Sequence, residues 1–63
     1  MIVQFTDRVT GAPVYINPEY VVSLRPDPTD PDAASVVKVR DGEAIAVRGA
    51  HAEVARKLLR PAA

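Results

Sequence analysis

The residues from which a nucleophile and its base would have to be assembled are few: the single histidine, His51, and hydroxyls such as those of Ser23 and Ser35. A serine hydroxyl becomes a useful nucleophile only with a base in hydrogen-bond reach. His51 falls at the expected start of a helix, where a lone histidine is far more often a solvated or capping residue than a catalyst. No catalytic residue is assigned, and the chain reads as a non-enzyme. Asp27, Asp30 and Asp32 cluster in a proline-rich stretch, and clustered carboxylates are what a hard cation takes. The spacing from Asp30 lacks the central glycine and closing glutamate of a calcium loop, so solvation is the expected role and no metal ligand is assigned. Gly11, Gly42 and Gly49 stand alone at turn or helix boundaries, which leaves no glycine-rich phosphate cradle. No cofactor is expected.

Binding is a different matter, because it asks only for a surface. Arg25, Lys38, Arg40 and Arg48 alternate with apolar residues, so that all four are expected on the face of a sheet opposite its core. A basic stripe of this kind can track phosphates, although single-strand binders add aromatic stacking residues and this face offers Tyr15 alone. The same outward set includes Val21, Val36, Ala44 and Ala46, more apolar surface than one free sheet face usually carries. With Ile2 on an uncharged first strand, these residues form the expected oligomer or partner surface.

The elements that must position these residues follow from period and punctuation. Residues 2–6 alternate as a half-buried strand with Val3 and Phe5 on one side. Gly11 can close a hairpin into a short strand, Val14 to Ile16, which Asn17-Pro18-Glu19 stops. Tyr20 to Arg25 reads as strand three, with Tyr20, Val22 and Leu24 inward and Val21, Ser23 and Arg25 outward. Residues 26–32 carry three prolines and three aspartates and read as an extended, solvated loop. Ser35 to Arg40 and Glu43 to Arg48 flank the two-residue hairpin signal Asp41-Gly42. After Gly49 the period changes. Val54, Ala55, Leu58 and Leu59 form a helical stripe in a helix from about Ala50 to Arg60, which Pro61 ends.

The expected fold is therefore α+β and mostly β. It is a single domain over residues 1–63: a five-stranded antiparallel meander, with a partly closed barrel as the variant, and one C-terminal helix. Its expected core is Phe5, Ile16, Val22, Leu24, Val37, Val39, Ile45, Val47, Val54 and Leu58. A 63-residue chain buries only about 60 per cent of its unfolded surface, and with no cysteine it has no disulfide to add. Self-association is the remaining common source of stability. Net charge is zero, which argues against a general polyanion coat. Yet up to residue 33 five acids oppose two arginines, a net −3, whereas afterwards six cations oppose three acids, a net +3. Such asymmetry fits pairing within the fold, head-to-tail contact between copies, or a basic surface for an acidic partner. Without a basic segment followed by a long apolar run at residues 1–8, or any stretch of spanning length, the expectation is a cytoplasmic protein with no membrane insertion. The abundance of Ala, Val, Arg, Pro and Asp suits a GC-rich bacterial or phage genome.

The segment Gly11-Ala12-Pro13-Val14-Tyr15-Ile16-Asn17-Pro18-Glu19-Tyr20-Val21, followed by an Asp-Gly hairpin and by Val47, Glu53, Val54 and Leu58, resembles the small flagellar FlbD or swarming-motility family. Members look like short chains with a "G-x-x-[VFY]-[YW]-[VIL]-N-P-[DE]" segment, a strand pair around a glycine turn and a terminal helix bearing "E-x-V". The resemblance spans nearly the whole chain, through turn and core residues. The chain departs from it in the loop Asp27 to Asp32 and in Ala50, where the family often places a serine-like helix cap. The resemblance implies an accessory or regulatory protein, here accessory to motility, that acts through contacts and has no catalytic residue to carry across. The functional expectation is a small non-catalytic protein-interaction or adaptor module. Its partner is itself, as a homo-oligomer, or another protein. The alternative is a small nucleic-acid-binding or regulatory protein that uses the basic sheet face.

Overall fold

A computed structural model describes residues 2–59. The elements in chain order are β1 (Val3–Thr6), β2 (Pro13–Ile16), a 3₁₀ turn (Pro18–Tyr20), β3 (Val21–Pro26), β4 (Ala34–Val39), β5 (Ala44–Arg48) and α1 (His51–Leu58). The fold is thus mostly β, with five antiparallel strands and one C-terminal helix. The expected helix extension to Arg60 and the stop at Pro61 lie outside the described residues. Ala50 is the N-cap rather than the first helical residue, and it supplies no side-chain cap.

The strands do not form one meander. β1 pairs with β2 in one sheet, and β3, β4 and β5 form another in that order. β2 and β3 are not neighbours, because the 3₁₀ turn between them redirects the chain. An isolated antiparallel bridge, Asp7 to Val47, instead joins the end of β1 to β5, with Arg8 N–H donating to the Ala46 carbonyl at 2.9 Å. The result is two sheets joined at one bridge, which do not close into a barrel.

The core is where the two sheets and the helix meet: Phe5, Ile16, Val37, Val47 and Val54 are buried, and Val3, Val14, Val21, Leu24, Val39, Ile45 and Leu58 pack around them. Nine of the ten expected core residues are in this cluster. Val22 is not. A bulge between Val21 and Ser23 shifts the β3 register, so Val21 joins the core and Val22 points out with 62% of its surface exposed. Tyr20, expected inward at the start of β3, belongs instead to the 3₁₀ turn and is also exposed. Because side chains alternate strictly along a strand, one extra residue is enough to exchange the two faces.

The helix is fastened at both ends. Gly49, at φ +116°, turns the chain out of β5 in a conformation that other residues rarely adopt. Its N–H donates to Ala33 O at 2.7 Å, while its carbonyl accepts from the fully buried Ser35 hydroxyl at 2.8 Å. At the far end Lys57 Nζ donates to Gln4 O at 2.8 Å and sits 4.6 Å from the centre of the Phe5 ring.

The proline-aspartate loop is neither extended nor wholly solvated. Asp30 N–H donates to Asp27 O, and Asp30 O accepts from the N–H groups of Ala33 and Ala34, which folds the segment into consecutive turns. Asp27 itself is only 4% exposed, because its carboxylate meets Arg8 and accepts from Thr29 N–H.

Candidate interaction site

Asn17 begins the construction. Its side-chain oxygen accepts from Glu19 N–H at 3.0 Å and Pro18 occupies the first helical position, a pairing that starts a helical turn because proline has no N–H to leave unsatisfied. The turn closes with Tyr20 N–H donating to Asn17 O, and Tyr20 O then accepts from Arg40 N–H at 2.8 Å. The end of β4 is thereby held against the turn that follows β2.

On the other side stands the β4–β5 turn. Gly42 N–H donates to Val39 O, Val39 N–H to Glu43 O, and Asp41 Oδ1 accepts from Glu43 N–H at 2.9 Å. Gly42 takes φ +94°, and a Cβ there would meet nothing within 4 Å, so glycine is required by the backbone alone.

Between these two walls lies a cleft of about 440 Å³. Ile16, Val39 and Ile45 supply its apolar lining, all three being part of the core cluster or packed against it. Tyr15 and Tyr20 also line it with 63% and 53% of their surfaces exposed, and Arg40 places its guanidinium carbon 5.8 Å from the Tyr20 ring centre. Asp41 and Glu43 complete the rim. Exposed phenol rings beside an apolar lining, with charges of both signs at the edge, are a combination enriched where proteins meet ligands.

The expected site residues are dispersed. Arg25 and Lys38 share a shallow concavity of about 250 Å³ with Ser23, Val36 and Ala44 on the outer sheet face. Arg40 lies in the tyrosine cleft, and Arg48 lines a third depression with Gln4, Glu53 and Lys57. Among the apolar set, Val36 and Ala46 are half-buried cross-strand partners, Ala44 is exposed opposite Lys38, Ile2 is exposed beside β1, and Val21 is in the core. Tyr20, Asp41 and Glu43 have no role in the sequence reading of the surface. The signal for Tyr20 lay in Asn17-Pro18, which starts a turn and so changes the phase at which β3 begins.

Ser35 Oγ is committed to the Gly49 carbonyl, and His51 is exposed at the start of α1. Among the described residues no group of three or more histidines or acids is gathered closely enough to hold a metal ion, and no helix is long and apolar enough to cross a membrane.

Comparison with family models, curated proteins and solved structures finds no match to the chain.

Proposed function

We propose that the protein is a small non-catalytic interaction module whose recognition site is the tyrosine cleft. The observation that carries this reading is the outward placement of Tyr15 and Tyr20 around an apolar lining. Large rings left in water cost solvation that a partner recovers, and tyrosine does so while losing little side-chain entropy. A second copy of the chain counts among the partners this reading admits, as does an accessory role in motility of the kind the family resemblance implies.

Nucleic acid is the competing reading, since two exposed aromatics beside an arginine also suit base stacking. The composition of the rim favours the protein partner. One cation, Arg40, shares the cleft with two carboxylates, Asp41 and Glu43, while Arg25 and Lys38 lie in a second depression and Arg48 in a third. Phosphate tracking needs several cations along one path.

The test is site-specific photocrosslinking in cells that produce the protein, with a photoreactive phenylalanine analogue at Tyr15 or, as control, at the exposed Val9. The expected result is a discrete protein adduct from position 15 that is lacking from position 9. Equal adducts from both positions, or adducts to nucleic acid alone, overturn the reading.

A further inference from the structure

The last two residues of β2, Tyr15 and Ile16, line the cleft and no residue of β1 does, so the cleft lies at the end of β2, on its edge away from β1. That edge is open. The ladder between β1 and β2 pairs Val3 with Ile16 and Phe5 with Val14, and the same rail continues as Asp7 N–H donates to Ala12 O. In an antiparallel ladder the residues on such a rail turn both backbone groups to the partner strand, and the residues between them turn theirs away. Tyr15 therefore presents its N–H and carbonyl to the cleft side, and among the described residues β2 has no strand partner other than β1. Pro13, at the start of the strand, adds an outward carbonyl and no donor.

Resting on the reading of this cleft as the recognition site, we infer that its occupant is an extended, basic peptide segment of another protein that adds as a strand to the edge of β2. An added strand satisfies Tyr15 N–H and C=O, and it sets alternate side chains toward Ile16, Val39 and Ile45. Its intervening side chains reach the rim. There Asp41 and Glu43 outnumber Arg40, whose guanidinium already faces the Tyr20 ring, so the complementary segment is cationic. The short length of β2 makes this a weak, reversible contact, since few main-chain bonds are available.

The test uses amide NMR on the full chain with three synthetic hexapeptides: one alternating lysine and valine, one with glutamate for each lysine, and one lysine peptide with its central valine replaced by proline. The lysine-valine peptide is expected to slow exchange of the Tyr15 amide and to shift the resonances of the cleft. The glutamate peptide is expected to bind roughly tenfold more weakly, as several rim contacts change sign together. The proline peptide is expected to lose the Tyr15 protection, because it lacks a ladder donor and cannot keep the pairing. Glu43→Lys, a change on an exposed turn, should weaken the lysine peptide while leaving the rest of the spectrum in place. Equal binding of the lysine and proline peptides, or of the lysine and glutamate peptides, overturns the inference. So does absence of any shift in the cleft, or Tyr15 protection that grows with protein concentration alone and so marks a second copy as the occupant. A crosslink from position 15 without these peptide effects would leave the recognition site standing and remove the added strand.

Discussion

Arg8 Nε lies 2.8 Å from Asp27 Oδ2, joining the loop after β1 to the loop after β3. The contact is chiefly Coulombic, since Nε makes no well-aligned hydrogen bond. Each partner is anchored by its backbone: Arg8 N–H donates to Ala46 O on β5, and Asp27 N–H donates to Ala34 O at the start of β4. The pair thus ties the segment that follows β1, held on the edge strand β5, to the loop that follows β3, held on the central strand β4. Attraction across a nearly dry gap is stronger than on an open surface, but both groups have also given up water.

Removing one partner should accordingly cost more than removing both. Asp27→Ala is expected to destabilise by about 1–3 kcal/mol, a figure below that for fully buried pairs because Arg8 remains about one third exposed. The double variant Arg8→Met/Asp27→Leu should lose less than Asp27→Ala alone. Urea unfolding of the parent and the two variants measures this, and a double variant less stable than Asp27→Ala would contradict it.

The bulge in β3 makes opposite predictions for two valines that the bare alternation of the sequence places on one sheet face. Val37→Ala, at a fully buried position, should cost about 2–3 kcal/mol, a large part of the roughly 3–9 kcal/mol expected for a domain of this size. Val22→Ala should change stability by about 0.5 kcal/mol or less, since its side chain is mostly in water. Thermal or urea unfolding that finds Val22→Ala as costly as Val37→Ala would show the unshifted register.

Asp7 supplies a pH dependence. Its carboxylate accepts from Thr10 N–H and Val9 N–H, and these bonds hold its pKa below the ordinary 3.8. A carboxyl whose pKa is depressed by folding contributes stability that is fully present above its unfolded value and is lost as pH falls through the folded value. Asp7→Asn should therefore be less stable than the parent near neutrality, with the gap narrowing below about pH 4. Paired unfolding curves from pH 7 to pH 2 check the sign, and a gap that widens in acid would refute it.

The dispersal of Arg25, Lys38, Arg40 and Arg48 predicts little affinity for nucleic acid. Light scattering at low salt should show a solution mass unchanged by a mixed oligonucleotide pool, and Arg40→Glu should make no difference. A mass increase that disappears steeply with added salt, and with Arg40→Glu, would restore the basic surface as the functional one.

Local chemistry was sufficient for much of this protein. Asp41-Gly42 marked the place of the β4–β5 hairpin, although the turn closes around three residues, 40–42, rather than two, because Gly42 takes positive φ and Asp41 does not; the change of period after Gly49 marked α1. Alternation located seven core residues on the strands, because half-buried strands leave the same imprint wherever they later pack, and the helical stripe located Val54 and Leu58. The candidate site was only partly visible. Alternation puts Arg40 and Tyr15 on the outward face, whereas it turns Tyr20 inward, and Asp41 and Glu43 carry only a hairpin signal.

Tertiary structure decided the rest, for reasons that alternation cannot encode. A bulge exchanged Val21 and Val22 through a single unpaired residue whose presence depends on how β3 must bend against β4. The pairing of β1 with β5 joins residues 40 positions apart, Asp7 and Val47, and arises from closure of the core rather than from any nearby signal. Burial of Asp27 required Arg8 to arrive from another loop, since a lone carboxylate would have stayed in water. The open edge of β2 has the same origin: whether a strand finds a second partner depends on where the remainder of the chain goes, and here the 3₁₀ turn carried β3 away from it.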